Sequence, residues 1–376
     1  MNLKEEIKKG LVGVIADETK ISEVMPEINS LTYRGYTVQD LSENCTFEEV
    51  AHLIVFGELP NKKELENFEQ SERSNRNVSE KIKRIIEEYP KKSNPMDTTR
   101  TSISLLALED PDAADNSEKA NYNKFFRLFA KIPTVVAANF RTRKGLEIIN
   151  PDKTLSFSDN FFHMCFGQVP SKEVIKAFDV SMILYAEHSF NASTFTTRLI
   201  TSSLSDFHSA VVGGVSSLKG PLHGGANEAV MDMFNEVKNE EDAEKYILNK
   251  LKNKELIIGF GHRVYKKGDS RVPTMTKYFL QTAEYYKNSH LPKISKILSS
   301  TMIREKNIYP NLDFPSGPTY FLMGFDIDFF TPIFVISRIT GWSAHIIEQF
   351  KNNMLIRPLS KYTGASQRKV NPIEKR

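Results

Sequence analysis

Cysteine is almost missing from this chain: Cys45 and Cys165 are the only two in 376 residues. Two thiols give no disulfide framework, and they fit a reducing compartment. No apolar run reaches the roughly 20 residues that a membrane-spanning helix needs. Residues 1–10 are charged and lack the apolar stretch of a secretory signal. They also carry acidic residues and no Arg, unlike a mitochondrial presequence, so the expectation is a cytoplasmic protein. The net charge of +3 is too small to argue for nucleic acid, and no basic run is interleaved with aromatics. The pair Gly259-x-Gly261 lacks the third glycine of a dinucleotide fingerprint. Walker A, His-Glu-x-x-His and Gly-x-Ser-x-Gly patterns are absent. None of the histidines stands at zinc spacing with cysteines or acids, so no metal site is expected. There is no internal repeat, low-complexity tract or Gly/Ser linker.

What the chain has in quantity is amphipathic helix. Its length, with 40% hydrophobic and 26% charged residues, suits a soluble enzyme of two domains, or of one large one, with a substantial core. Residues 10–15 and 30–36 are β-prone and predict one or two short strands. Thr46-Phe47-Glu48-Glu49 reads as a capping box opening a helix over 50–56, stopped by Gly57. His52 on it reads as a helix-face or core histidine. The charged stretch 61–92 has Phe68, Ile82 and Ile86 at helical spacing and predicts surface helices. A helix starts at Pro95, and 109–117 is an acidic loop. Further helices are predicted over 125–141, with a kink at Pro133, and over 160–166. A long helix from Ser171 through Tyr185 delivers His188 at its end. Helices over 194–204 and 207–218 follow, the second carrying Gly213-Gly214 for close packing or a bend. Beyond Gly220-Pro221, helices are predicted over 228–237, 242–251, 275–286 and 291–305. Apolar segments return at 320–323 and 329–339, and 342–355 is the last long helix. Long strands are scarce, so the fold class is mainly α. His163, His208, His290 and His345 read as structural.

One segment concentrates the chemistry. Gly220-Pro221-Leu222-His223-Gly224-Gly225, Gly259-Phe260-Gly261-His262 and Asn311-Leu312-Asp313-Phe314-Pro315 each place one His or Asp in a tight, Gly/Pro-rich turn beside an apolar run. Such turns let backbone N–H groups approach a ligand closely. Two imidazoles and a carboxylate can move a proton off a weak carbon acid and stabilise the enolate. Desolvation in an apolar turn would raise the pKa of Asp313 and make it a better base. A solvated turn aspartate is the plain alternative. His223 precedes a predicted helix whose positive end favours a neutral imidazole; the alternative is an N-cap without a ligand.

These three pieces resemble the His, His and Asp segments of the citrate synthase family, and the resemblance runs from Gly10-Leu11-Val12-Gly13-Val14 to Tyr362-Thr363-Gly364. Gly268-Asp269-Ser270-Arg271-Val272-Pro273, His163-Met164-Cys165-Phe166-Gly167 and Tyr185-Ala186-Glu187-His188-Ser189-Phe190-Asn191-Ala192-Ser193-Thr194-Phe195 read like its 2-methylcitrate synthase branch. The resemblance implies a citrate synthase-like two-domain helical fold with short N-terminal β-strands. Residues 1–222 with 323–376 would form the large, dimerising domain, and 223–322 a small domain that closes on the CoA side. Asp313 is implied as the base, His223 as donor to the enol oxygen, and His262 as the group that holds and protonates the oxaloacetate carbonyl oxygen. Leu256, Ile257, Ile258, Gly259 and Phe260 would give main-chain contacts to CoA, with Gly324 and Asn191 near the site. Lys266 and Lys267 are either partners of CoA phosphates or solvated.

Oxaloacetate is a dianion and calls for fixed guanidinium groups. Arg271, Arg338 and Arg357 match the family's substrate arginines, and His188 its further oxaloacetate-binding histidine. A lone Arg is usually surface charge, but Arg338 lies in an apolar run. In the family, the arginine matching Arg357 comes from the other subunit, which implies a homodimer with shared sites. The match starts near Gly10, so the extra N-terminal domain of NADH-regulated hexamers is not expected. No cofactor is implied; acyl-CoA is a substrate. The expected reaction joins propionyl-CoA, oxaloacetate and water into 2-methylcitrate and CoA, with acetyl-CoA also accepted. A citrate synthase using mainly acetyl-CoA is the alternative, because one methyl is worth only about 1–3 kcal/mol in a pocket. Readings of other classes are a non-catalytic acyl-CoA-binding protein, which the complete His, His, Asp and Arg set opposes, and a metal-dependent hydrolase, which chelators would silence.

Overall fold

The computed structural model describes residues 7–237, 239–265 and 267–376. Residues 1–6 of the charged N-terminal stretch, and Lys266, lie outside them. Strands β1 (Ser22–Met25), β2 (Ser30–Tyr33) and β3 (Tyr36–Thr37) form an antiparallel sheet in that order. The strand expected at 30–36 is therefore present, broken by Arg34 and Gly35 at φ +50° and +92°. The strand expected at 10–15 is not. Gly10, Leu11 and Gly13 have φ of +64°, +54° and +73°, which a strand does not allow. The side chains of 10–15 are exposed, and β-prone residues with no face to bury do not make a strand.

Local signals set most helix ends. α1 (Val38–Asn44) is capped by Thr37. α2 (Phe47–Phe56) carries both bonds of the capping box between Thr46 and Glu49 and ends at left-handed Gly57. α3 (Lys62–Asn75) and α4 (Glu80–Glu88) bury only narrow stripes and lie on the surface, as their charge predicts. α5 (Pro95–Leu108) begins with Pro behind the Asn94 cap. α6 (Glu118–Arg143) starts earlier than its apolar face and continues through Pro133. α7 (Phe157–Phe166), α8 (Lys172–Tyr185), α9 (Ala192–Ser202) and α10 (Phe207–Leu218) follow. A Cβ on Gly214 would stand 2.8 Å from Thr197 and 3.0 Å from the Trp342 ring, so this glycine serves close packing of α10 on α9.

α11 (Ala226–Glu236), α12 (Glu240–Lys252), α13 (Val272–Tyr285) and α14 (His290–Lys306) are the charged helices of the middle segment, and α15 (Asp313–Leu322) is a mostly buried one. α11 and α13 pack on α15, and α12 on α14. α16 (Phe330–Lys351) is the hub, buried from Phe330 to Ile347 and packed on α2, α6, α8, α9 and α10. A helix apolar all round belongs in a core. The sequence reading splits it in two near Gly341. That glycine is instead a contact point: a Cβ there would stand 2.5 Å from the Ala186 carbonyl and strike the Glu187 carboxylate. Among the described residues no helix is long and apolar enough to cross a membrane.

Candidate active site

The site gathers around the turn that leaves α8. Its Leu184 carbonyl accepts from Arg271 Nη1 at 3.4 Å, and its Tyr185 carbonyl from Arg338 Nε at 2.7 Å. The Tyr185 hydroxyl donates to Asp313 Oδ1 at 2.6 Å. Three residues on stands His188, then Ser189 at φ +49°, a left-handed conformation uncommon outside glycine, which turns the chain into α9. One turn thus touches two of the candidate arginines and the candidate base, and ends in a candidate histidine.

All three histidines of the site are neutral, for reasons the geometry supplies. His188 lies 5.1 Å from His262, ring centre to ring centre, and its Nε2 is buried without a hydrogen-bond partner among the described residues. Burial first, then Arg271, hold it well below the usual histidine range. His262 Nδ1 accepts the N–H groups of Val264 and Tyr265 at 3.0 and 3.2 Å. A ring nitrogen that accepts carries no proton, so the neutral ring is a donor at Nε2. His223 Nε2 accepts the N–H of Ser193 at 3.3 Å, with the Ser193 hydroxyl 2.8 Å away. Its proton is therefore on Nδ1. Burial and the nearby Arg338 push His223 down to about 3, so its neutrality comes from desolvation rather than from the helix end invoked by the sequence. Nor is His223 the N-cap of α11; that position belongs to Gly225.

The His262 loop is fastened to the Asp313 segment by main-chain bonds. Gly261 N–H donates to the Tyr309 carbonyl at 2.8 Å, and Asn311 N–H to the Gly259 carbonyl at 2.9 Å. Gly259 and Gly261 sit at φ +87° and +79°, which this tight approach requires. Asp313 is the first residue of α15 rather than a turn residue, and its own N–H donates to Asn311 Oδ1 at 3.2 Å. A helix start favours the carboxylate, but burial outweighs it and lifts Asp313 to about 6, against the pull of Tyr185 and Arg271.

The two arginines differ in how their charge is used. Arg271 is bidentate to Asp269, Nε to Oδ1 at 2.9 Å and Nη2 to Oδ2 at 2.7 Å, and Oδ2 also accepts the Leu312 N–H at 3.2 Å. Arg338 packs on Phe334 at 4.7 Å and has Nη1 buried without a hydrogen-bond partner among the described residues. Burial lowers its pKa to about 10. A buried, incompletely satisfied guanidinium costs stability unless an anion joins it. An anionic ligand would offset that cost.

Leu256 to Phe260 lead from solvent into this cluster: Leu256 is 72% exposed, and Ile257 6%. Arg357 is not brought in. It is exposed, and Ile356 beside it bonds Ser202 at the far end of α9 from Ser193, about 14 Å along the helix axis. Asn191 caps α9, while Gly324 lies against Phe166 and lines a cavity of 580 Å³ with Glu228, Asp232 and Asp328 that holds none of the three candidate catalytic groups. His208 pairs with Asp110 and His345 with Glu187, both structural as expected. Tyr185, Ser193 and Asp269 were missed as site residues. All three stand in segments that carry the family resemblance, which is the signal the sequence offers for them.

The chain matches the family described as citrate synthase, C-terminal domain, over residues 10–359. It is 52% identical over 365 residues to a protein named 2-methylcitrate synthase from Mycobacterium tuberculosis, covering 97% of this chain and 92% of that protein. It is 51% identical over 364 residues to a protein named citrate synthase from Mycolicibacterium smegmatis, covering 97% of each. Among solved structures, the ternary complex of carboxymethyl coenzyme A and oxaloacetate with the citrate synthase of Thermoplasma acidophilum superposes with a TM-score of 0.92 at 30% identity. That likeness covers 99% of this chain and 100% of the other.

Proposed function

This chain belongs to the citrate synthase family, and from that premise we infer that it is an acyltransferase condensing propionyl-CoA with oxaloacetate and water to 2-methylcitrate and CoA, with acetyl-CoA also accepted. Asp313 takes the proton from the α-carbon of the acyl-CoA. His223 donates from Nδ1 to the thioester oxygen as the enol forms. His262 donates from Nε2 to the oxaloacetate ketone, and the enol carbon attacks the carbonyl carbon so polarised. Water then cleaves the thioester and CoA leaves. Arg338, Arg271 and His188 hold the oxaloacetate carboxylates, and the main chain of Leu256 to Phe260 carries CoA. The reaction needs no metal or prosthetic group.

The observation that carries this reading is the pairing of a carboxyl lifted to about 6 with two neutral imidazoles whose bonds leave Nδ1 of His223 and Nε2 of His262 as the donors. Residues 223–322 would be a small domain closing over 1–222 and 323–376. The last segment, from Asn352, is exposed apart from Ile356 and carries Leu355, Leu359, Tyr362 and Val370 uncovered, which supports a second copy of this chain packing there and lending Arg357 to its neighbour's site. We place the enzyme in the cytoplasm, in propionate catabolism.

A second reading, citrate synthesis from acetyl-CoA, is favoured by the equally similar relative named citrate synthase. The deciding experiment is CoA release with oxaloacetate, comparing acetyl-, propionyl- and butyryl-CoA, with Asp313→Ala as control. A higher kcat/KM for propionyl-CoA, lost in the variant, supports both the substrate and the base. A higher value for acetyl-CoA moves the enzyme to citrate synthesis, and release that survives Asp313→Ala removes Asp313 from its role.

A further inference from the structure

The small N-terminal sheet reaches the site turn from behind. Ser22 of β1 and Tyr33 of β2 are cross-strand partners, both buried. The Ser22 hydroxyl donates to Glu187 Oε1 at 2.9 Å and accepts the N–H of Ser189 at 2.9 Å. The Tyr33 hydroxyl sits 2.9 Å from the Glu187 carbonyl and 3.0 Å from the Ile183 carbonyl, with its proton between them. His188 is thus held through both chain neighbours: the carboxylate and carbonyl before it, and the N–H after it. Ser189 is left-handed at φ +49°. For a residue with a Cβ that conformation is unfavourable and persists only when contacts over-determine it. Ser22 supplies such a contact. The same Glu187 Oε1 also lies 2.9 Å from His345 Nε2, with both side chains fully buried.

We propose that the cross-strand pair Ser22–Tyr33 is a positioning device for oxaloacetate: acting through Glu187 and Ser189, it sets where the His188 ring meets the substrate. This rests on the reading of His188 as an oxaloacetate ligand. Ser22 and Tyr33 are positioning residues, working through the turn. Their hydroxyls converge on the residues flanking His188, where a merely structural hairpin anchor has no need to aim. Polar groups that meet a substrate have to be held to about half an ångström, and among the described residues Nε2 of His188 has no hydrogen-bond partner to hold it.

The test uses a matched pair of variants. Thr and Val share shape and strand preference and differ in the hydroxyl. Ser22→Val raises KM for oxaloacetate about tenfold while KM for propionyl-CoA stays within about twofold, and Ser22→Thr restores both to within about twofold of wild type. Tyr33→Phe gives the same split, and its combination with Ser22→Val falls short of the product of the two, because both act on one turn. If Val and Thr behave alike, if the two KM values rise together, or if only the melting temperature falls, the inference is wrong. Should neither Val nor Thr fold, Ser22→Ala is held to the same KM split. His188→Ala is measured alongside. If it leaves KM for oxaloacetate unchanged, the site reading fails and takes the inference with it. If it raises KM while Ser22→Val does not, the inference alone fails.

Discussion

The bond between Tyr185 and Asp313 makes a quantitative prediction about pH. Asp313 sits at about 6, the balance of burial, which raises it, and the Tyr185 hydroxyl, which donates to its ionised form from 2.6 Å. At pH 7 about nine-tenths of the enzyme then carries the base ready to accept a proton. Tyr185→Phe removes the donor and keeps the ring, which packs on Phe334 at 4.2 Å between centroids. A hydrogen bond to a charged group is worth about 1.5–3 kcal/mol, and one pKa unit about 1.4, so Asp313 rises by about 1–2 units. The ionised fraction at pH 7 falls to between about one-half and one-tenth, and kcat/KM falls about two- to tenfold. At pH 9 the loss almost vanishes. Tyr185 itself is pushed well above 10 by burial and by Asp313, so it does not titrate across this range. The assay is kcat/KM for the acyl-CoA from pH 5 to 9.5 at saturating oxaloacetate, in wild type and variant. An acid limb that stays in place, or a fall of equal size at every pH, refutes the reasoning.

Arg338→Lys raises KM for oxaloacetate by about tenfold or more, with KM for acyl-CoA little changed, because one ammonium cannot hold the Tyr185 carbonyl and also meet a carboxylate in two places; unchanged oxaloacetate kinetics would exclude Arg338 from the substrate. Glu48 is buried beside Asp179, and both factors raise its pKa above the ordinary 4.5. The folded state thus disfavours its charged form: the penalty is absent below the unfolded pKa and grows as pH rises toward the folded one. Glu48→Gln, which can still accept the Phe157 N–H, therefore gains melting temperature over wild type at pH 8 more than at pH 5, and an equal gain at both would count against the assignment. Gly214→Ala forces a methyl to 2.8 Å from Thr197 and lowers stability by about 1–3 kcal/mol in denaturant titration, despite the roughly 1 kcal/mol that Ala gains over Gly in a helix; a stabilised variant would show that α9 and α10 do not approach as closely as described.

The parts of this fold that sequence reveals are those set by a few neighbouring residues. Thr46 with Glu49 opens α2, Asn94 with Pro95 opens α5, and Gly57 and Gly167 close their helices, because caps are local physics. His223, His262 and Asp313 were legible through the glycines and prolines that shape their turns. What misled were positions where a distant surface decides. Gly341 looked like a break because its reason for being glycine is Glu187, a residue on another segment. Residues 10–15 looked like a strand, but among the described residues no strand pairs with them. The same divide runs through the active site. A histidine in a glycine-rich turn can donate from either nitrogen, and its neighbours in sequence do not choose. His223 takes its tautomer from Ser193, and Asp313 receives its hydrogen bond from Tyr185, groups 30 and 128 residues away. His262 takes its tautomer from Val264 and Tyr265 in its own loop, yet that loop is brought to the base by bonds to Tyr309 and Asn311. Residue type therefore names the chemistry available, while the direction in which each proton moves is assigned by partners that only the folded chain brings into reach. A variant that keeps all three candidate catalytic residues and removes Ser193 or Tyr185 should still look like this family by motif and yet lose rate.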